Sequence, residues 1–232
     1  MTALIPRLQL SVRKYLASVF YKYFYLREDP ASKIMNHLVP PPQPPGKRIW
    51  DVEYSQGYWN KLLDLPEQAH YAVVRSYIQH LTENGEILDI GCGEGLLLEQ
   101  LGTKWQRYVG VDFSESAMAR RSLSRSDGAV FIVADAENYV PQGLFDVIVF
   151  CESVYYFKQP IETVLRYRSF VKENGAFVIS LHAHLRTAAI RARLKKELHL
   201  VHETVITNDG GSWFCMLVKP RGRSSSARPG IQ

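Results

Sequence analysis

The 232-residue chain is 46 % hydrophobic and 22 % charged, the balance of a globular protein with its own core: one large domain, or one domain with an appendage. No apolar run reaches the ~18–20 residues of a membrane-spanning helix, and the opening stretch, MTALIPRLQLSVRKY, has neither a continuous signal-peptide core nor a small-residue cleavage pattern. The formal charge of +5 lies largely in the first segment and in Arg221, Arg223 and Arg228, so charge makes no case for a nucleic-acid partner.

In chain order, residues 4–26 place Leu8, Val12, Tyr15, Leu16, Val19, Phe20, Tyr23 and Phe24 at helical spacing, with Arg7, Arg13, Lys14 and Lys22 between them. Two readings stay open for this basic amphipathic helix: a lid over the main domain, or a peripheral contact with an anionic membrane surface. VPPPQPPG at 39–46 is a stiff polyproline II spacer, which sets an appendage at 1–48 and a main domain at 49–220. The basic tail 221–232 lacks core-forming residues and reads as disordered. QAHYAVVRSYIQHL, within the main domain, reads as a helix.

Beyond it, strands are predicted at 86–90, 107–111, 129–133, 145–150, 176–181, 200–207 and 213–219. Helices are predicted near 94–101, 115–124, 160–171 and 184–197. Alternating β and α units imply a mostly parallel sheet with helices on both faces, an α/β, Rossmann-like class. TNDGGS between the last two strands favours a hairpin and so an antiparallel end to the sheet. Cys92, Cys151 and Cys215 show no CxxC or metal-ligand spacing, which fits a reducing, cytoplasmic setting without disulfides or a metal.

In open α/β sheets ligands sit at the carboxyl ends of the strands. Strand one ends in Asp89-Ile90-Gly91-Cys92-Gly93, where glycine N–H groups can face a ligand and Asp89 can accept from an ammonium group or fix the loop. The glycines stand at 91, 93 and 95, one residue short of the dinucleotide spacing G-x-G-x-x-G, which weighs against an NAD(P)-dependent oxidoreductase. Strand two ends in Asp112, able to bind both hydroxyls of a ribose, and Phe113, able to cover an adenine. Strand three ends in VADAEN, where Asp135 can accept from an adenine amine and the Ala136 N–H can donate to a ring nitrogen. Asp112 could instead cap the next helix, for which Ser114 is better placed, and Asp135 could be a turn residue.

ILDIGCGEG, YVGVDFS, VADAEN, FDVIVFCES and VKENGAFVIS, in that order, resemble the successive motifs of class I S-adenosylmethionine-dependent methyltransferases over about residues 86–219. The resemblance implies a seven-stranded sheet with an antiparallel last strand and S-adenosylmethionine as cofactor. It places Asp89, Gly91 and Gly93 at the methionine end, Asp112 at the ribose and Asp135 with Ala136 at the adenine; Phe113, Cys92 and Cys151 join the cofactor candidates from their places at strand ends, the two cysteines also reading as small packing residues. IWDVEYSQGYWNKL resembles the aromatic segment that covers the cofactor in small-molecule members, with Trp50, Tyr54 and Trp59 as candidates; an anchor tying the appendage to the core is the other reading. CESVYYF resembles the corresponding segment of nodulation-type N-methyltransferases, which methylate an amino-sugar nitrogen. No N/D-P-P-Y tetrapeptide is present, which argues against a DNA-base substrate.

A sulfonium methyl is already electrophilic, so catalysis reduces to positioning a nucleophile and removing its proton. Glu152, Tyr155 and His182 are the catalytic candidates, with Tyr156 and His184 beside them. No clustered aspartates suggest Mg²⁺. The chain from strand five to the next helix is short, so the acceptor pocket needs a roof from residues 1–80. The expected function is methyl transfer to N or O of a small, glycosidic or amphiphilic intermediate; the alternative is a non-catalytic cofactor-binding module.

Overall fold

The computed structural model describes residues 46–120 and 128–221. The expected helix at 4–26, most of the proline spacer and the tail beyond Arg221 lie outside these residues.

The chain opens with α1 (Lys47–Ser55), a 3₁₀ segment (Tyr58–Leu63) and α2 (Leu65–Leu81). Then follow β1 (Glu86–Ile90), α3 (Leu96–Leu101), β2 (Arg107–Asp112), α4 (Glu115–Arg120), β3 (Val130–Val133) and β4 (Phe145–Cys151). After a 3₁₀ turn (Val154–Tyr156) come α5 (Pro160–Arg166), β5 (Val171–His182), α6 (Leu185–Glu197), β6 (Leu198–Asn208) and β7 (Gly211–Pro220). The sheet order is β3-β2-β1-β4-β5-β7-β6. β1 to β5 pair in parallel, and β7 runs antiparallel to both neighbours. The expected seven-stranded α/β fold is therefore present, hairpin included.

Period-two alternation builds two cores from the same strands. Leu88, Ile148, Phe150, Phe177, Ile179, Phe214 and Met216 face α5 and α6, while Ile87, Tyr108, Val147, Val149, Val178 and Leu217 face α2 and α3. Full burial of such side chains contributes about 1.5–3 kcal/mol each. The chain order reverses between β1 and β4, and a crevice opens at their carboxyl ends.

Three of the boundaries that differ from expectation have a local physical reason. α3 starts at Leu96 because Gly95 turns with φ +86°. The helix after Pro160 leaves α geometry at Arg166, continues as a 3₁₀ turn over Tyr167–Phe170, and gives way to β5 at Val171, five residues early. There Val171 pairs with Phe145 before a register shift, and Lys172 bridges Asp146 and Glu86 at 2.8 and 3.0 Å, which holds the charged start of the strand onto the sheet. The aromatic stretch after the spacer is itself helical as α1, and it crosses the expected boundary at residue 48.

Candidate active site

Sulfur, glycine and carboxylate groups from the ends of β1, β2 and β4 meet in one cavity of about 930 Å³, near the upper end of the range for small-molecule sites. Gly91 has φ +76°, and a Cβ there would collide with Ser153, whose hydroxyl donates to the Ile90 carbonyl at 2.6 Å. Only glycine lets the β1 and β4 loops approach this closely. Gly93 has φ +53°, and a Cβ would lie 2.7 Å from the Tyr54 hydroxyl. The loop's N–H groups mostly serve the loop itself: Gly91 and Cys92 donate to the Val111 carbonyl, Gly95 to the Cys92 carbonyl, and Gly93 to Asp112. This corrects the expectation of an N–H cradle; the glycines act by shape.

Asp112 is buried, and each carboxylate oxygen accepts one backbone N–H at 2.9 Å, from Gly93 and from Ser114. Burial pushes its carboxyl above the ordinary value, while those N–H donors act in the opposite direction. Each oxygen retains accepting capacity for a hydroxyl. Ser114 accepts from Ala117 N–H at 3.1 Å, so it caps α4 as its position suggested. Asp135, exposed, accepts from Glu137 N–H and the Asn138 amide at 2.9 Å each. It therefore closes its own turn at the cavity edge. The adjacent Ala136 carbonyl is held by Tyr167 and Arg166.

Asp89 does not line the cavity; it is 1 % exposed beneath it. One oxygen accepts from the Tyr108 hydroxyl at 2.6 Å and the other has no partner. Burial pushes its carboxyl up to about 7, with the nearby Asp112 charge adding. The other site candidates, Tyr54, Trp59, Cys92, Phe113, Ala136, Cys151, Glu152, Tyr155 and His182, all line the cavity. Trp50 stacks on Trp59 at 5.0 Å and meets Phe113 and Tyr156 edge-on. α1 is thus an aromatic roof, tied to β2's end where Asp51 accepts from the Ser114 hydroxyl at 2.8 Å. Trp50 and Tyr54 of α1, with Trp59 of the following 3₁₀ segment, thus stand over the cavity.

The other half of the cavity is organised by Glu152, the one non-glycine among the described residues with positive φ, at +57°. Its carboxylate accepts from the Ser180 hydroxyl at one oxygen, and from the Tyr155 hydroxyl (2.8 Å) and His182 N–H (2.9 Å) at the other. Of roughly four lone-pair sites on a carboxylate, one on the Ser180-bonded oxygen stays available. Tyr155 keeps its proton: burial, and then the Glu152 charge, push it well above the ordinary phenol value. His184 is pushed down to about 4 by burial and the neighbouring His182 and Arg186, and it caps α6. It is a neutral structural group at neutral pH. The sequence reading passed over Glu67, His70, Tyr71, Ser180 and Trp213; His70, fully buried beneath Glu152, looked like one more residue of a helix face.

Residues 23–214 match the family model described as "Methyltransferase domain". The chain belongs to the methyltransferase domain family. The chain is 34 % identical over 123 residues to nodulation protein S of Sinorhizobium fredii, covering 51 % of this chain and 55 % of that protein. It is 27 % identical over 140 residues to a ubiquinone biosynthesis O-methyltransferase of Saccharophagus degradans, covering 57 % and 56 %. It thus spans little more than half the length of these relatives. Its fold matches the N-methyltransferase NodS from Bradyrhizobium japonicum in complex with S-adenosyl-L-homocysteine, with TM-score 0.62 and 18 % identity over 70 % of this chain and 92 % of that one. The nicotinamide reading falls away with the family match.

The matched N-methyltransferase structure holds S-adenosyl-L-homocysteine, and the residues around this cavity are compatible in type with a ligand of that kind. The unpartnered Asp89 oxygen lies under the glycine loop, Asp112 keeps accepting capacity for two hydroxyls, and Phe113 with the tryptophan pair provides apolar faces. Among the described residues, no group of His, Cys, Asp or Glu could hold a metal ion, and no helix is long and apolar enough to cross a membrane.

Proposed function

We propose that this protein transfers a methyl group from S-adenosylmethionine to a nitrogen or hydroxyl oxygen of a small acceptor. In this reading the nucleoside lies against Asp112 and Phe113, and the acceptor lies against Glu152, Tyr155 and His182. The observation that carries the reading is Glu152: a carboxylate held at a left-handed backbone position by three donors, with one lone pair left for a fourth. Such an acceptor site fits a group that arrives bearing a hydrogen and must lose it. When bound, the cofactor would supply an electrophilic sulfonium methyl and carry away the C–S electron pair as a neutral thioether. Around it, Glu152 takes up the acceptor's proton, Tyr155 and Ser180 steady the carboxylate, and α1 excludes water. The intact clamp favours an enzyme over a binding module.

Similarity to nodulation protein S and to O-methyltransferases makes amino sugars and phenols the first acceptors to try. The purified protein, incubated with S-adenosylmethionine and such a panel, should yield an acceptor heavier by one methyl in mass spectra. Tight binding of S-adenosylhomocysteine with no product from any acceptor would point to the binding-module alternative. Residues 4–26 as an amphiphile or membrane contact remain part of the proposal; deleting residues 1–45 should weaken acceptor use or liposome binding, and unchanged values for both would remove that part.

A further inference from the structure

Beneath Glu152 runs a row of polar groups in which the methyl transfer proposed above gives Ser180 only the task of steadying the carboxylate, and gives His70 and Glu67 none. The Ser180 hydroxyl, fully buried on β5, touches Glu152 on one side and lies 3.5 Å from His70 Nδ1 on the other. His70 Nε2 lies 3.1 Å from Glu67 Oε2, and the Glu67 side chain is 21 % exposed at the cavity wall. The imidazole is fixed between the rings of Tyr71 and Trp213, with centroids at 4.4 and 5.4 Å. The other titratable groups facing it are Cys151 of β4, with Sγ 3.9 Å from Nδ1, and Cys215 of β7, which touches its carbonyl.

The hydrogens along this row, leaving aside the flanking Cys151 and Cys215 thiols, leave room for one more proton. With both carboxylates ionised and His70 neutral, the Nε2–H serves Glu67 and the single Ser180 hydrogen serves Glu152. The Ser180–His70 contact then has no hydrogen of its own. One added proton completes the row wherever it resides. On Glu152, the acid donates to Ser180, and Ser180 to Nδ1. On His70, Nδ1 donates to Ser180, and Ser180 to Glu152. On Glu67, the acid donates to Nε2, with Nδ1–H again facing Ser180. The three arrangements contain the same atoms and interconvert by proton shifts along the Glu152–Ser180, Ser180–His70 and His70–Glu67 contacts, of which the Ser180–His70 contact, at 3.5 Å, is the longest.

We propose that Glu152, Ser180, His70 and Glu67 form a proton relay, in which Ser180 and His70 are positioning residues acting through Glu152. The inference rests on the methyl-transfer reading above. The acceptor's N–H or O–H bond breaks as an O–H bond forms on Glu152; the proton moves through Ser180 to His70 and leaves from the partly exposed Glu67 to water. Charge balances within the row, because the proton enters and leaves as a proton, and no oxidant or reductant takes part.

The test combines a resonance measurement with kinetics on the full chain. In ¹⁵N-histidine-labelled protein saturated with S-adenosylhomocysteine, His70 is assigned as the ring lost in His70→Gln. Its Nδ1 resonance should move when Ser180→Ala or Glu152→Gln is introduced. With an acceptor from the panel, single-turnover transfer should fall about 10- to 100-fold in Ser180→Ala and in His70→Gln, part of the ~10²–10⁴-fold that general-base catalysis contributes. S-adenosylhomocysteine affinity should stay within about twofold, and Ser180→Thr, which keeps the hydroxyl, should recover the rate. A purely structural His70 would instead lower thermal stability or cofactor affinity while leaving the rate. An unmoved Nδ1 signal in both variants, or wild-type rates in Ser180→Ala and His70→Gln, overturns the relay and leaves methyl transfer standing. A wild-type protein that methylates nothing overturns the activity and the relay's role together.

Discussion

The two halves of the cavity are built by different means. At the ends of β1, β2 and β3, glycines shape the loop, backbone N–H groups are used locally, and the side chains that matter sit within a few residues of a strand end. At the ends of β4 and β5 the working unit is a set of side chains drawn from α2, β4, β5 and β7. One is a carboxylate whose backbone adopts an unfavoured conformation. The first half is a shaped receptacle, and the second is a hydrogen-bonded device. Binding and chemistry should therefore respond to different substitutions.

The largest separation is expected from Glu152→Gln. Methyl transfer in a single turnover should fall about 100-fold or more, while calorimetric affinity for S-adenosylhomocysteine stays within about threefold. A matching loss of affinity would merge the two halves into one. Asp112→Ala should do the reverse, weakening cofactor binding more than about tenfold, or ~1.4 kcal/mol. Unchanged affinity there would reduce Asp112 to a brace for the Gly93 and Ser114 N–H groups.

A smaller effect is expected from Asp89, which lies under the receptacle. Its folded-state value of about 7 stands above the ordinary carboxylate value of 3.8. Between about pH 4 and 7 the native protein holds a proton that the unfolded chain has released, so this group lowers stability as pH rises through that window. Its contribution is absent below pH 4 and fully unfavourable above pH 7. Asp89→Asn should flatten the change in urea midpoint between pH 5 and pH 8 in cofactor-free protein. An equally steep change in both proteins would mean that Asp89 stays ionised in the fold.

The same contrast decides what was legible in the sequence. The seven strands and their mostly parallel arrangement follow from alternating β and α segments, and the candidates at Asp112, Phe113 and Gly93 follow from their places at strand ends; each depends on neighbours close in the chain. Glu152 was visible for the same reason, because it follows β4 directly. Its partners were not: Ser180 is 28 residues away, and His70 stands 110 residues from Ser180. Neither differs in type or spacing from an ordinary buried strand or helix residue. Asp89 was visible as an acid but not as a buried one, since its depth is set by Tyr108 across the neighbouring strand. The cradle of glycine N–H groups failed for a related reason: the Val111 carbonyl that takes two of them lies on another strand.

One tripeptide at the end of β2, Asp112-Phe113-Ser114, has a consequence for the timing of turnover. Its first residue lies where the ribose is proposed to sit, its second packs under the tryptophan pair, and its third fastens α1 through Asp51. Lys47 adds a second fastening to Glu115 at 3.1 Å. Where entry beneath α1 parts those fastenings, the nucleoside end is expected to be the first guest in and the last out. Ordered steady-state kinetics would express this, with S-adenosylhomocysteine competitive against the methyl donor and non-competitive against the acceptor. Competition against both would mean that α1 lets either guest come and go alone.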